Sequence, residues 1–238
     1  MDYNTLFISD IHLGSRSTQS NKLLNFLNEN TFKKIYLVGD IINMNRLRKK
    51  FIWRRKHNAV IQLLLSLSKD SEIIYIFGKS DIYLDEFIGQ RFGNILIKET
   101  DIHYTSNHEE CYIIHGHQFD SALISFTKFY KIGKVAYDLT IWLNKLINGF
   151  LRLFGNTWSL SLYLKSKNKA AKNFVENFEE MVVLAAIDEF SSNVIAGHIH
   201  VPADKIISRV RYLNCGCWTE FTSCVVEDLD GDLKLLKV

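Results

Sequence analysis

The sequence contains one proline, Pro202, and only twelve glycines in 238 residues. This small number argues against flexible linkers and low-complexity segments. The four cysteines, Cys111, Cys215, Cys217 and Cys224, follow no secretory leader, which favours free thiols over a disulfide framework. No stretch approaches the roughly 18 uninterrupted apolar residues that a membrane span needs. We therefore expect a cytoplasmic protein.

Acidic residues are absent from one stretch and nearly absent from another. The net charge is only +3, but residues 46–56 hold seven basic residues and no acidic one. Residues 121–172 hold nine basic residues and a single acid, Asp138. Such segments attract phosphate groups, or they form solvated helix faces.

Polar residues, mostly Asp and His, directly follow several short apolar runs. These are Asp10 with His12, Asp40, the stretch Gly78-Lys79-Ser80-Asp81, His115, and His198 with His200. Taken singly, each has an ordinary structural reading as a turn or a hydrogen-bonded side chain. Together, carboxylates and imidazoles at the ends of strands meet along one edge of a sheet, where they suit a divalent metal. The sequence therefore predicts a metal site.

Strands and helices alternate in the first third of the chain, and the last part reads as β throughout. Spacing of apolar residues predicts helices over Gln19–Asn30 and Arg54–Ser68, and a long helical region over roughly Asp120–Phe190. This order predicts an α/β sandwich. We interpret the helical region as an insertion at about 121–185 in a single domain, 1–238.

The order and spacing of these motifs resemble the calcineurin-like metallophosphoesterase superfamily. Further stretches are similar to the UDP-2,3-diacylglucosamine diphosphatase family. They are Ser9–Ser15, Gly39-Asp-Ile-Ile, Arg46-Leu47, His57-Asn58, His115-Gly-x-x-Phe-Asp120, Trp158–Lys165 and Gly197-His-Ile-His200. The resemblance implies a four-layer αββα sandwich with a helical lid. It also implies cleavage of the pyrophosphate of a diacylated UDP-sugar in lipid A synthesis.

The resemblance also implies the ligands of two divalent cations, with Mn²⁺ as the expected ion. Asp10, His12 and His200 would hold one cation, His115 and His198 the second, and Asp40 would bridge both. The catalytic residues would be Asp40, His198 and Lys79.

Five positions depart from the pattern of the family. Lys79 and Ser80 stand where the family has Asn and His, and Asn43 stands where it has Asp. His117 and Cys217 also replace Asp. Three interpretations stay open: the Lys79 ammonium replaces one cation, leaving a single metal; His117 or Cys217 compensates as a ligand; or the protein is impaired in catalysis and binds a lipid or nucleotide sugar.

Aromatic and basic residues alternate in the helical insertion, which suits a membrane surface, a lid over acyl chains, or a packed helical hairpin. The resemblance favours the lid, and Arg46, Trp158, Lys165 and Lys169 would bind substrate. The predicted function is hydrolysis of a lipid-linked nucleotide sugar at the inner leaflet of the membrane. The alternatives are a non-catalytic binder of such a ligand and a phosphodiesterase with a soluble substrate. The sequence shows no nucleic-acid motif, and we infer no protein partner.

Overall fold

We describe the fold from a computed structural model that covers residues 1–121 and 169–238, with only the backbone of residues 169 and 170. The chain forms two compact units. Residues Met1–His117 and Val182–Val238 make up the first, and Gln118–Met181 the second. Most of the second unit lies outside the described residues. The predicted single domain with a helical lid therefore stays a prediction.

The described residues form twelve strands and four α-helices. The strands are β1 (Asp2–Ile8), β2 (Thr31–Val38), β3 (Glu72–Ile76), β4 (Arg91–Phe92), β5 (Ile95–Lys98), β6 (Thr100–Tyr104), β7 (Glu110–Ile114), β8 (Asn193–Ala196), β9 (Ala203–Ile207), β10 (Val210–Asn214), β11 (Ser223–Glu227) and β12 (Leu233–Lys237). The helices are α1 (Ser20–Glu29), α2 (Met44–Lys49), α3 (Arg55–Leu67) and α4 (Lys169–Asp188). Short 3₁₀ turns cover Ile82–Phe87 and His117–Phe119.

The first sheet has seven strands in the order β12-β11-β1-β2-β3-β5-β4. Strands β1, β2, β3 and β5 run parallel, and β11, β12 and β4 are antiparallel to their neighbours. The central strands read as continuous apolar runs, such as Leu6–Ile8 and Ile35–Val38. This pattern is typical of parallel strands that are covered on both faces.

The second sheet has five strands in the order β6-β7-β8-β10-β9. Strands β7, β8 and β10 are parallel, and β6 and β9 are antiparallel strands at the two edges. Both sheets therefore contain parallel strands whose carboxyl ends can carry side chains of a site.

The two sheets pack face to face. One buried cluster contains Phe7 and Tyr36 of the first sheet together with Ile113, Ile195 and Leu213 of the second. The Phe7 and Tyr36 rings stack with their centroids 5.1 Å apart. Successive side chains of a strand point to opposite faces, so Phe7 faces the second sheet while Leu6 and Ile8 face away from it.

Helices α1 and α3 cover the outer face of the first sheet. Leu23 and Leu27 of α1, and Val60 and Leu64 of α3, lie one turn apart and belong to the buried cluster that includes Leu6. Helix α4 buries Val182, Val183 and Ala186 within the unit that contains both sheets. The predicted α/β sandwich is confirmed. The lid falls mostly on residues 122–168, which lie outside the described part of the chain.

The predicted helices agree with α1 and α3 to within one residue at each end. Helix α2 and strands β4 and β6 are elements that the sequence pattern does not predict. Helix α2 is short and buries no side chain, so it has no apolar periodicity that could reveal it. Of the helices in the described ranges, none combines the length and apolar character that a transmembrane segment needs.

Candidate metal centre

The predicted ligands follow the carboxyl ends of four parallel strands. Asp10 and His12 follow β1, Asp40 follows β2, and His115 follows β7. The fourth strand, β8, leads into His198 and His200. The first sheet thus supplies three of the side chains and the second sheet the other three.

Main-chain hydrogen bonds join the segments that carry these side chains. The Asp10 N–H donates to the Gly39 carbonyl at 3.0 Å, and the His12 N–H donates to the Asp40 carbonyl at 2.9 Å. Between the sheets, the His198 N–H donates to Asp10 Oδ2 at 2.9 Å. These hydrogen bonds therefore hold the ligand-bearing segments of both sheets next to one another.

Five of the six predicted ligands have a left-handed backbone. The φ angles are +51° at Asp10, +53° at His12, +55° at Asp40, +70° at His198 and +55° at His200. A non-glycine residue adopts such angles infrequently, and strain of this kind is concentrated at functional sites. The turn after each strand thereby directs these side chains into one region.

Two glycines allow the backbone to approach the ligands closely. A Cβ added to Gly39, where φ is +76°, would overlap His115 Nδ1. A Cβ added to Gly78 would overlap Asp40 Oδ1 and lie 2.8 Å from His115 Nε2. Only glycine fits at these positions without displacing a predicted ligand.

The ligand atoms form two groups of three within 4.8 Å of one another. Asp10, His12 and His200 form one group, and Asp10, Asp40 and His115 form the other. Asp40 also reaches both groups, since its Oδ1 lies 3.5 Å from His115 Nε2 and its Oδ2 lies 3.6 Å from His12 Nε2. Asp10 therefore belongs to both groups, and Asp40 lies close to a histidine of each.

His115 shows that the site suits a cation. Its Nδ1 lies 2.9 Å from the Val38 carbonyl, which can only accept, so Nδ1 carries the ring proton. Its Nε2 is consequently a lone-pair donor, and it is buried without a hydrogen-bond partner. A buried, unpaired imidazole nitrogen beside two carboxylates is the donor set of a divalent transition metal.

Electrostatics favour ionised carboxylates at this site. Burial alone would raise the pKa of Asp10, but the charges of His200, His115 and His12 hold it below its usual range. The pKa of Asp40 is lowered in the same way, by His115 and His12 acting against burial. Burial would lower the pKa of His115 and His200, but neighbouring carboxylates raise both, while burial keeps the pKa of His12 below its ordinary value. A bound cation would keep both carboxylates ionised and would require these imidazoles in their neutral form.

The stretch that departs from the family pattern contacts Asp40 directly. The Ser80 hydroxyl donates to Asp40 Oδ2 at 2.7 Å, and the Ser80 N–H donates to Asp40 Oδ1 at 2.7 Å. Both oxygens of Asp40 are thereby oriented by one residue. Lys79 is exposed, and its carbonyl accepts a hydrogen bond from the Asn45 amide.

Asp81 is a residue of the site whose role the sequence pattern does not predict. Its side chain is fully buried and accepts hydrogen bonds from the Gly78 N–H, the Ile41 N–H and the Tyr75 hydroxyl. It holds the turn after β3 against the turn after β2. A Gly-Lys-Ser-Asp stretch looks like an exposed turn, so the sequence offers no sign of this burial.

Of the other predicted site residues, three lie in the described part of the chain. Arg46 is exposed on α2, and the His117 ring lies 5.5 Å from the His115 ring. Cys217 is buried; burial raises its pKa, but the neighbouring His200 charge lowers it overall. It therefore lies beside the Asp10 and His200 group. Trp158, Lys165 and the side chain of Lys169 lie outside the described residues.

No protein-family model matches the chain, and no curated protein does. Solved structures with a similar fold include a single mutant of Vps29 from Entamoeba histolytica (TM-score 0.49, 15% identity, 98% of this chain and 97% of that one). They also include a novel archaeal phosphodiesterase (0.49, 12%, 98% and 99%) and the phosphoesterase Yfce from E. coli (0.46, 13%, 98% and 98%). Similarity at this level does not establish an activity. The sheet topology described above defines the fold.

Proposed function

We propose that the chain is a metal-dependent hydrolase of phosphoester or phosphoanhydride bonds. The observation that carries the proposal is the convergence of five Asp and His side chains from both sheets, among them His115, whose Nε2 is buried without a hydrogen-bond partner. A structural cluster would pair that nitrogen internally, because an unsatisfied buried polar atom costs about 1–3 kcal/mol.

In this proposal Asp10, His12 and His200 would hold one divalent cation, His115 and His198 would hold a second, and Asp40 would contact both. The cations, when bound, would stabilise the charge on a phosphoryl group and lower the pKa of a water molecule towards neutrality. Mn²⁺ is the proposed ion. Two cations are proposed, or one if the Lys79 ammonium takes the place of the other.

The chain's own residues would position these groups. Ser80 fixes the orientation of the Asp40 carboxylate through both of its oxygens. The His198 main chain fixes Asp10 in the same way. Lys79, exposed on the turn after β3, would place positive charge beside the phosphoryl oxygens.

For the substrate we propose a lipid-linked nucleotide sugar similar to UDP-2,3-diacylglucosamine, cleaved at the pyrophosphate at the inner leaflet of the membrane. The sequence motifs support this substrate, and so does the basic segment 46–56, which is exposed at all seven of its charged residues. Arg46 begins this segment within helix α2, which directly follows the loop that carries Asp40.

An impaired member of the family that binds such a ligand without cleaving it is the second candidate. Two features favour it: an exposed lysine takes the place of the amide ligand at residue 79, and Ser80 takes the place of the histidine that would assist the leaving group. A lysine ammonium has no lone pair and cannot bind a cation.

The test measures bound metal and hydrolysis on the same protein. We expect purified protein loaded with Mn²⁺ to retain metal by mass spectrometry and to hydrolyse bis(p-nitrophenyl) phosphate. His115→Ala should lose both, since it removes the unpaired nitrogen. His108→Ala, which changes an exposed histidine on the loop between β6 and β7, should keep both.

Lys79→Asn distinguishes the two candidates. Metal binding without hydrolysis in the natural sequence, with hydrolysis appearing in Lys79→Asn, would establish the binding protein. Absence of bound metal in both proteins would refute the metal site. Release of UMP from UDP-2,3-diacylglucosamine, compared with UDP-N-acetylglucosamine, tests the lipid-linked substrate.

A further inference from the structure

Asn43 lies between helix α2 and His12 and contacts both. It is the residue that precedes the first turn of α2, and its Oδ1 accepts a hydrogen bond from the Arg46 N–H at 3.0 Å. Its Nδ2 lies 3.2 Å from Nδ1 of His12. One side chain therefore joins the start of a helix to a predicted metal ligand.

The chemistry of the two contacts fixes which end of the amide faces which partner. A backbone N–H can only donate, so the atom of Asn43 that faces Arg46 must be the oxygen. The NH₂ group consequently faces His12. Because an amide NH₂ can only donate, Nδ1 of His12 must be the acceptor. The single proton of the neutral ring is then on Nε2.

The position of that proton conflicts with metal binding. Nε2 of His12 lies 3.1 Å from His200 Nε2, 3.6 Å from Asp40 Oδ2 and 3.7 Å from Asp10 Oδ1. It is therefore the nitrogen that faces the other predicted ligands. A cation needs a lone pair at this atom, and the hydrogen bond from Asn43 places a proton there instead.

We propose that Asn43 is a positioning residue that holds His12 in its Nε2–H form and weakens metal binding at the group of Asp10, His12 and His200. Binding through His12 requires the proton to move to Nδ1, and Asn43 must then turn its oxygen towards the ring. That rotation removes the side-chain hydrogen bond that caps α2, and the Arg46 N–H keeps only the Asn43 carbonyl, at 3.1 Å, as its acceptor. Metal loading at His12 therefore costs the natural protein the side-chain cap of α2.

The inference rests on the proposed metal site, but the form of the His12 ring is measurable without metal. In metal-free protein, ¹⁵N-resolved NMR of the histidine side chains should show His12 in the Nε2–H form. Asn43→Asp should convert it to the Nδ1–H form, because one carboxylate oxygen can accept from the ring while the other caps α2. Asn43→Ser keeps a capping hydroxyl and removes the NH₂ group, and it should also permit the Nδ1–H form.

Titration calorimetry with Mn²⁺ measures the effect of Asn43 on the affinity for metal. We expect Asn43→Asp to bind about 10–100-fold more tightly than the natural sequence, which is the usual effect of a partner that orients a ligating histidine. Asn45→Asp is the matched control. It adds the same charge two residues away, on an exposed side chain whose amide contacts the Lys79 carbonyl.

Two outcomes overturn the inference. One is an Nδ1–H form of His12 in the metal-free natural protein. The other is a gain in affinity from Asn45→Asp equal to that from Asn43→Asp, since charge alone would then explain it. If no variant binds Mn²⁺ at all, the proposed function fails, whereas the NMR result still decides the form of His12.

Discussion

At the scale of single residues, the site depends on positions where only one residue type fits. Gly39 has a left-handed backbone and also lies against the His115 ring. Gly89 has almost the same φ, +80°, but nothing within 4 Å of an added Cβ. This pair separates the cost of the backbone conformation from the cost of crowding at the site.

We expect Gly89→Ala to lower the free energy of unfolding by about 1–2 kcal/mol, the usual cost of a left-handed L-residue. Gly39→Ala should lose that amount and about 1–3 kcal/mol more, because the added methyl must displace His115. Urea unfolding of the two variants measures the difference. Equal losses would show that the His115 ring moves aside without cost and that the contact between Gly39 and His115 is not tightly packed.

At the scale of elements, Asp81 fastens the end of β3 to the end of β2. Its partners at 2.5 Å, 2.8 Å and 2.6 Å are the Gly78 N–H, the Ile41 N–H and the Tyr75 hydroxyl. The pKa of Asp81 is raised by burial and by the neighbouring Asp40 charge. The carboxyl group is held by these three donors.

Asp81→Asn should therefore destabilise the fold by about 1–3 kcal/mol, because an amide NH₂ placed among donors leaves at least one of them unpaired. Asp85→Asn, which changes an exposed carboxylate four residues away, is the control and should have little effect. Thermal unfolding monitored by circular dichroism makes the comparison. An unaltered melting temperature in Asp81→Asn would mean that these hydrogen bonds do not hold the turns.

The elements also show what the sequence can predict. Apolar runs that end in Asp or His identify the strand ends, and helical spacing identifies α1 and α3. The left-handed backbone at Asp10 and Asp40 cannot be read from the sequence, since it depends on contacts between turns that lie far apart in the chain. The burial of Asp81 and the direction of the Asn43 amide depend on the same contacts.

At the scale of the whole molecule, a buried contact between an imidazole and a carboxylate joins the two sheets. His103 on β6 of the second sheet lies 2.9 Å from Glu227 on β11 of the first. Glu227 also accepts hydrogen bonds from the Thr5 hydroxyl at 2.5 Å and the Ser106 N–H at 2.7 Å. Burial would raise the pKa of Glu227, but these partners lower it from 4.5 to about 2.

The sign of the resulting pH dependence follows from this depressed pKa. Glu227 stabilises the fold fully above pH 4.5, where the unfolded chain is also ionised, and the contribution disappears as the pH falls towards 2. The difference in urea midpoint between the natural protein and Glu227→Gln should therefore shrink over this range. Glu29→Gln, at an exposed position, should show no such trend. A difference that is constant with pH would show that the pKa of Glu227 is not lowered in the folded protein.

The pairing of β1 has a consequence for biosynthesis. Strand β1 lies between β2, the next strand in the chain, and β11. Glu227 of β11 is 222 residues from its partner Thr5. During translation one edge of Leu6-Phe7-Ile8 must wait for a strand that leaves the ribosome much later. An apolar strand with an open edge can pair with other chains. Slower elongation after residue 40 should therefore increase the demand for chaperones that shield nascent chains.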